Sequence, residues 1–329
     1  MTGGDSAVAR TVEHANAKVN LVLRVGAPRE DGMHPLCSLF AALELADEVV
    51  VTAGREMARG GRAAGDRDVA DEVVCPGVDG DNLAAAAAAA FRVAAPAVYL
   101  PPLRIEIQKR IPVAAGLAGG SADAAAVLRA ANALSGTPLS PDQLREIAAG
   151  LGSDVPSQVE PAHAIVSGIG ERVERVDLPP MTLVLVPQDE GLSTGAVYGE
   201  LDRLRDDVAG APSLAVGPAD AGPSDRLASE PLRRLAAGSL EQLAAGIAND
   251  LEPAALALRP RLAEPIAALR DTGALAAQVT GSGPTTFGLF ADRLAAERTA
   301  ATIDGQRAAA AQAAGVAPPP LAIVTELLA

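Results

Sequence analysis

Residues 109–132 read KRIPVAAGLAGGSADAAAVLRAAN. An alternating run ahead of them (Leu103, Ile105, Ile107) has the period-two pattern of a half-buried strand, which ends at Lys109. Pro112, Val113, Ala114 and Ala115 follow, and Gly116, Leu117, Ala118, Gly119 and Gly120 then form a Gly/Ala loop without large aromatic or charged side chains. Ser121 and Ala122 open a run of helix formers that continues to Asn132. A small-residue loop lets backbone approach a ligand closely. A helix start adds unpaired N–H groups and a partial positive charge. The combination is an anion site, most often for phosphate. The alternative is a plain strand–turn–helix in a chain with 32 glycines.

Two familiar phosphate loops are excluded. A P-loop needs Gly-Lys followed by Ser or Thr, so that the lysine reaches the terminal phosphates. The only lysines are Lys18 and Lys109, and neither follows a glycine. The dinucleotide fingerprint G-x-G-x-x-G is not supplied by Gly116-Leu-Ala-Gly119-Gly120-Ser121. What remains is a lysine-free loop in which amides and the helix dipole hold phosphates. The Ser121 hydroxyl is then free to touch a metal or a phosphate oxygen.

Composition narrows the partners. The net charge is −14, from 27 basic and 41 acidic residues. This argues against nucleic acid and anionic membranes, which reward clustered cations. An anionic ligand must be met by a local site. Of the 27 cations all but Lys18 and Lys109 are arginine, which draws attention to both lysines. Cys37 and Cys75 lack metal-ligand spacing. One disulfide is open in principle, and two free thiols in a reducing cytoplasm is the preferred state. The N-terminus has no apolar signal region, and the longest apolar stretch, near Leu83–Phe91, is too short to span a bilayer. A soluble, cytoplasmic protein is expected.

Length favours two domains, with a boundary at Pro179-Pro180. Strands are expected at Val19–Val25, Glu48–Thr52, Leu103–Lys109, Ala162–Ser167, Arg172–Asp177, Met181–Pro187 and Leu321–Val324. A strand–turn–strand over Leu275–Phe290 carries Gly281-Ser282-Gly283 at its tip. Helices are expected over Asn82–Ala95, from Pro141 (capped by Ser140) to Gly150, over Thr194–Asp207, and near 230–247, 253–271 and 292–314. Gly152–Pro156 reads as a turn, and residues 209–227 as a mobile surface insertion. Strands and helices mix without strict alternation, so the class is α+β.

Three separated motifs fall into one pattern. Ala-Lys18-Val-Asn20, Ile111-Pro112 through Ala125, and Gly281-Ser282-Gly283-Pro284-Thr285 resemble the three motifs of the GHMP small-molecule kinases. Further matches are Arg29 through His34, Leu151-Gly-Ser-Asp154-Val-Pro156 and Asn249-Asp250-Leu-Glu252-Pro253, so the resemblance covers nearly the whole chain in order. It points most closely to the members that act on a cytidine-diphosphate-linked methylerythritol in non-mevalonate isoprenoid synthesis.

The resemblance implies a ribosomal-protein-S5-like N-terminal domain (10–178) that binds ATP and a ferredoxin-like C-terminal domain (179–329). It implies γ-phosphoryl transfer from ATP, with Mg2+, to the 2-hydroxyl of that polyol by a monomer or homodimer. Lys18 and Asp154 would be the catalytic pair. Lys109 and residues 112–122 would bind ATP, with Ser121 a candidate Mg2+ ligand. Asn20, Met33, His34, Tyr198, Gly281, Ser282 and Gly283 would surround the substrate. In isolation Lys18 also reads as a solvated strand end, Asp154 as a turn residue and Asn249-Asp250 as a helix cap.

One departure matters. The family pattern has an aromatic residue before the histidine, where this chain has Met33. A ring there would stack on cytosine, and methionine retains a softer contact. Two other readings therefore stand beside the first. One is a GHMP-type kinase for a different alcohol, and the other is a non-catalytic ligand-binding relative.

Overall fold

The computed structural model describes residues 9–54, 71–78, 80, 82–209 and 227–329. Most of the stretch read as an insertion, residues 210–226, lies outside the described residues. The chain forms two compact units, and neither is a continuous segment. The first draws on Met1–Ala17, Ala46–Val113 and Ala118–Pro161, and the second on Lys18–Leu45, Ala114–Leu117 and Ala162–Ala329. Pro179-Pro180 lies inside the second unit. The long strands β1 (Arg10–Val25) and β2 (Leu36–Ala53) each contribute residues to both units.

In the first unit, Glu48–Ala53 of β2 runs antiparallel to β4 (Leu103–Gln108). β3 (Glu72–Val74) pairs parallel with β4. β4 buries Leu103, Ile105 and Ile107, as its alternation requires. Against this layer lie α1 (Leu83–Ala94), capped by Asn82, and α2 (Gly119–Leu134). The alanine run reads as low complexity in sequence but has a packing role. Ala84, Ala87, Ala88 and Phe91 of α1 and Ala124, Ala125, Ala126, Ala130 and Ala131 of α2 are all buried in one core. Small side chains let the two helix backbones approach closely. α3 (Pro141–Ala149) starts with the expected Ser140 cap, closed reciprocally by Gln143, and α4 (Val155–Gln158) follows.

In the second unit, the start of β2 pairs with β5 (Ala164–Gly168), which turns back as β6 (Arg172–Arg175). A separate antiparallel sheet has the order β11-β7-β10-β9. Its strands are β7 (Thr182–Val186), β9 (Ala276–Val279), β10 (Thr286–Phe290) and β11 (Ile323–Glu326). Packed on it are α9 (Ala263–Asp271) and α10 (Arg293–Ala314). The remaining helices are α5 (Thr194–Ala209), α6 (Glu230–Ala236), α7 (Leu240–Gly246) and α8 (Glu252–Leu258). A two-residue strand, β8 (Ala248–Asn249), runs parallel to Val22-Leu23 of β1. The α+β class is as expected.

The differences from the sequence reading have physical causes. Both faces of β1 are buried from Ala15 to Leu23, so alternation vanishes and only its apolar end is visible in sequence. The same holds for the first half of β2. The helix expected at 230–247 is broken at Gly238-Ser239, where Ser239 and Gln242 form a new capping box. The one expected at 253–271 is interrupted by a short 3-10 turn at Pro260–Leu262, because Pro260 cannot continue it. Gly152–Pro156 leads into α4 rather than ending as a turn. The last strand begins at Ile323, after the run Pro318-Pro319-Pro320 that lacks N–H donors.

Both cysteines are free thiols. Burial pushes the Cys37 thiol up to about 11, so it is protonated at neutral pH. Among the described residues no helix is long and apolar enough to cross a membrane.

The alanine interface yields a first prediction. Ala88→Leu adds three carbons where none fit and should destabilise the protein by ~1–3 kcal/mol. Urea denaturation measures this, and an unchanged midpoint would show that the interface has slack.

Candidate active site

In the second unit, Asn20, Leu117 and the late glycine turn lie around Lys18. This lysine is buried in β1, and its Nζ donates to Asn20 Oδ1 at 2.8 Å. The same ammonium lies 4.4 Å from the centroid of the Phe40 ring. That cation–π contact, from a ring sequence reasoning did not single out, offsets part of the cost of burying the charge. Asn20 Nδ2 donates in turn to Ser38 Oγ at 2.8 Å, and Ser38 Oγ to the Val22 carbonyl. The asparagine therefore faces Lys18 with its oxygen, the orientation a cation requires.

The late glycine turn meets this cluster. The backbone N–H of Asn20 donates to Thr280 Oγ1 at 3.0 Å, and Gln278 Nε2 donates to the carbonyls of Asn20 and Leu21. Asn249, read in sequence as a possible helix cap, instead ties the turn down. Its Nδ2 donates to the Val279 and Gly281 carbonyls at 2.9 and 2.7 Å. Its Oδ1 accepts from the Leu251 N–H. Ser282 Oγ lies 3.0 Å from Thr194 Oγ1 at the start of α5. Gly281 and Gly283 both have positive φ, and the Gly283–Pro284 bond is cis.

Residues 114–117 belong to this unit, and the first glycine loop passes directly over the second. A Cβ at Gly116 would lie 2.6 Å from the Gly283 carbonyl oxygen and 3.0 Å from that of Thr280. Gly116 also has φ +76°. No other residue meets both demands without strain. The Leu117 carbonyl accepts from the Lys18 N–H at 3.2 Å, which fixes the loop to β1.

The structure brings His34 and Tyr198 together, two residues expected from the sequence to contact substrate. Their rings are 4.9 Å apart at 48°. His34 Nε2 lies 3.0 and 3.1 Å from the two carboxylate oxygens of Asp202, one turn along α5 from Tyr198. Asp202 was not foreseen, because a carboxylate on an exposed helix face carries no signal of its own. Met33 stands 45% exposed beside them, with its N–H held by Asp31.

In the first unit, α2 begins at Gly119, so Ser121 lies inside its first turn. The preceding Ala118 is left-handed (φ +59°), and no side chain caps the helix. The amides of the first turn are thus open to an external acceptor. Ala114 is left-handed as well, and such strain in alanine collects at functional loops. These features fit a polyphosphate group. For Mg2+, the described residues offer no cluster of three or more His, Cys, Asp or Glu.

Lys109 does not stand over the loop as an isolated charge. Its Nζ donates to Asp47 Oδ2 at 2.5 Å and to Asp123 Oδ2 at 2.7 Å. Burial pulls the ammonium pKa down, but the two carboxylates outweigh it and the net shift is upward. Burial likewise pushes Asp123 up to about 6, against the pull of Lys109. Asp154 stands at the start of α4, and its carboxylate does not cap that helix, although its carbonyl accepts from Ser157 Oγ.

The comparisons with known proteins bear on the family and the fold. The model of the GHMP kinases N terminal domain matches residues 82–161, and that of the GHMP kinases C terminal matches residues 231–307. The chain belongs to the GHMP kinases, and it is an ATP-dependent small-molecule kinase. A 4-diphosphocytidyl-2-C-methyl-D-erythritol kinase of Salinispora arenicola (strain CNS-205) is 44% identical over 286 residues, covering 86% of this chain and 84% of the relative. One from Streptomyces coelicolor (strain ATCC BAA-471 / A3(2) / M145) is 42% identical, covering 91% and 96%. A crystal structure of 4-(cytidine 5'-diphospho)-2C-methyl-D-erythritol kinase superposes with a TM-score of 0.70 at 31% identity, covering 97% of this chain and all of that one. A mevalonate kinase from L. major, with R-mevalonate, shares the fold at a TM-score of 0.65 and 13% identity.

The crossing of the two glycine turns can be tested. Gly116→Ala should cost ~1–3 kcal/mol from strain and overlap. Gly120→Ala, in the first turn of α2 with its nearest atom at 4.0 Å, should cost nothing in thermal stability. Equal melting temperatures for the two variants would contradict the close approach.

Proposed function

We propose that this kinase transfers the γ-phosphoryl group of ATP to the 2-hydroxyl of 4-diphosphocytidyl-2-C-methyl-D-erythritol. The observation that carries the reading is 44% identity, spread over 86% of the chain, to a relative of that name. The residues support it: a buried lysine with an oriented asparagine, an uncapped helix start after a small-residue loop, and a histidine–tyrosine pair beside a loop.

In this reading Asp154 takes the proton of the attacking 2-hydroxyl, whose oxygen bonds to the γ-phosphorus as the bond to ADP breaks. Lys18 is the other member of the catalytic pair. ATP supplies the phosphoryl group. It is held by residues 112–122, with the helix dipole of α2 and the first-turn amides facing the phosphates. The Ser121 hydroxyl would be the protein ligand of Mg2+, which when bound would supply neutralisation of phosphate charge. His34 and Tyr198 receive the cytosine ring, and Asp202 fixes the imidazole so that its other nitrogen faces substrate. Asn20, Gly281, Ser282 and Gly283 line the path of the polyol.

ADP release from Mg-ATP, measured with a panel of alcohols, tests the assignment. Turnover with the cytidyl-erythritol and none with homoserine or mevalonate is expected. Turnover with another alcohol alone would reassign the acceptor, and ATP binding without any turnover would leave a ligand-binding relative. Asp154→Asn should lower kcat by about 10²- to 10⁴-fold while ATP affinity is kept. Normal activity in that variant would remove Asp154 from the mechanism. Met33→Tyr restores a stacking ring worth ~1–3 kcal/mol, so KM for the cytidyl substrate should fall at least ~5-fold. An unchanged KM would place the base elsewhere.

A further inference from the structure

Lys109 precedes the phosphate loop, where a lysine invites the reading of a phosphate ligand. Its surroundings contradict that role. The ammonium is shared by two carboxylates, and all three side chains are buried or nearly so (13% exposed for Lys109, 0% for Asp47, 4% for Asp123). Withdrawing the cation toward a ligand would leave two buried carboxylates uncompensated, a strongly unfavourable state.

The carboxylates are themselves placed to hold backbone. Asp47 Oδ1 accepts from the N–H groups of Arg110 and Ile111 at 2.5 and 2.8 Å, where β4 ends and the loop begins. Asp123 sits in α2, one turn after the loop ends at Gly119. Gly119 itself packs on the clamp: a Cβ there would lie 3.3 Å from Lys109 Nζ and 3.1 Å from Ile111 Cγ2. The second oxygen of Asp123, Oδ1, is buried and has no hydrogen-bond partner among the described residues. Lys109 thus links the carboxylate of Asp123 to Asp47 on the strand side.

We infer that Asp47, Lys109 and Asp123 form an ionic clamp that fixes the two ends of the phosphate loop against each other, making Lys109 a positioning residue and not a phosphate ligand. The inference rests on the reading of residues 112–122 as the ATP loop. It assigns Asp47, some sixty residues away in sequence, to the same function. The clamp holds the first-turn amides of α2 where the triphosphate needs them, and these amides act only if their spacing is set beforehand.

The two roles predict opposite signs for one variant. If Lys109 touched phosphate, Asp123→Asn would remove a competing negative charge, and ATP would bind as well or better. The clamp predicts instead that Asp123→Asn raises KM for ATP at least 10-fold, with KM for the cytidyl substrate unchanged. Lys109→Met should do the same, and the double variant should be no worse than the worse single one, because either change opens the clamp. Tighter ATP binding in Asp123→Asn, or losses that multiply in the double variant, would overturn the inference. Saturation of the wild-type enzyme by ATP separates the two levels. Its absence would remove the ATP reading, whereas saturation with an unaffected Asp123→Asn would remove the clamp alone.

A measurement on the unaltered protein guards against variants that fail to fold. With only two lysines, [15N]lysine labelling yields two side-chain signals, assigned by Lys109→Arg. The Lys109 ammonium should keep its shift when Mg-AMP-PNP is added, and a hydrogen-bond coupling to phosphorus would refute the clamp.

Discussion

The carbonyl oxygen of Gly283 occupies the space that a side chain on residue 116 would need, at 2.6 Å from a Cβ built there. Two glycine turns more than 160 residues apart in sequence thereby cross at backbone contact. The ties around that crossing converge on it. Asn249 holds the Gly281 carbonyl, Thr280 receives the Asn20 N–H, and the Leu117 carbonyl receives the Lys18 N–H. Each is a backbone group satisfied by a specific partner, so the turns have little freedom to drift. The buried Lys18 sits inside this frame with its donors directed to Asn20 and its charge against Phe40.

The same logic governs charge. A chain of net charge −14 that binds polyanionic ligands must provide attraction locally and spend few cations on it. Arginine appears wherever a fixed fork is wanted. Arg92 grips Asp71 through both nitrogens at 2.7 Å, and Arg129 reaches Glu13 and two backbone carbonyls. Lysine appears only where the cation is buried and serves as a single point of attachment. Lys18 holds Asn20, and Lys109 holds Asp47 and Asp123. In the proposed function, phosphate binding falls to amides and a helix dipole, which carry no net charge and need no counter-ion when the ligand departs.

The sequence was legible where local chemistry acts alone. The glycine loop, the Ser140 cap and the Leu103–Ile107 alternation follow from rules that need no tertiary partner, and all three stand in the structure. His34 and Tyr198 were each singled out through resemblance to a family pattern, and their contact with one another is seen only in the structure. Elements buried on both faces, such as most of β1, lose the periodicity that would reveal them. Asp47 and Asp202 were invisible for a different reason. An aspartate in a strand or on a helix has no local signature, and its meaning comes from a partner more than sixty residues away. Asn249 shows the limit from the other side: its spacing suits a helix cap, and its amide ties the distant glycine turn.

The central claim is that backbone amides at the start of α2 and in the loop before it carry the triphosphate. Hydrogen–deuterium exchange with and without Mg-AMP-PNP measures this at the groups concerned. The account predicts that protection on binding is largest for peptides spanning residues 114–122, ahead of every other segment. Protection concentrated elsewhere, with these amides exchanging as in the free enzyme, would contradict it.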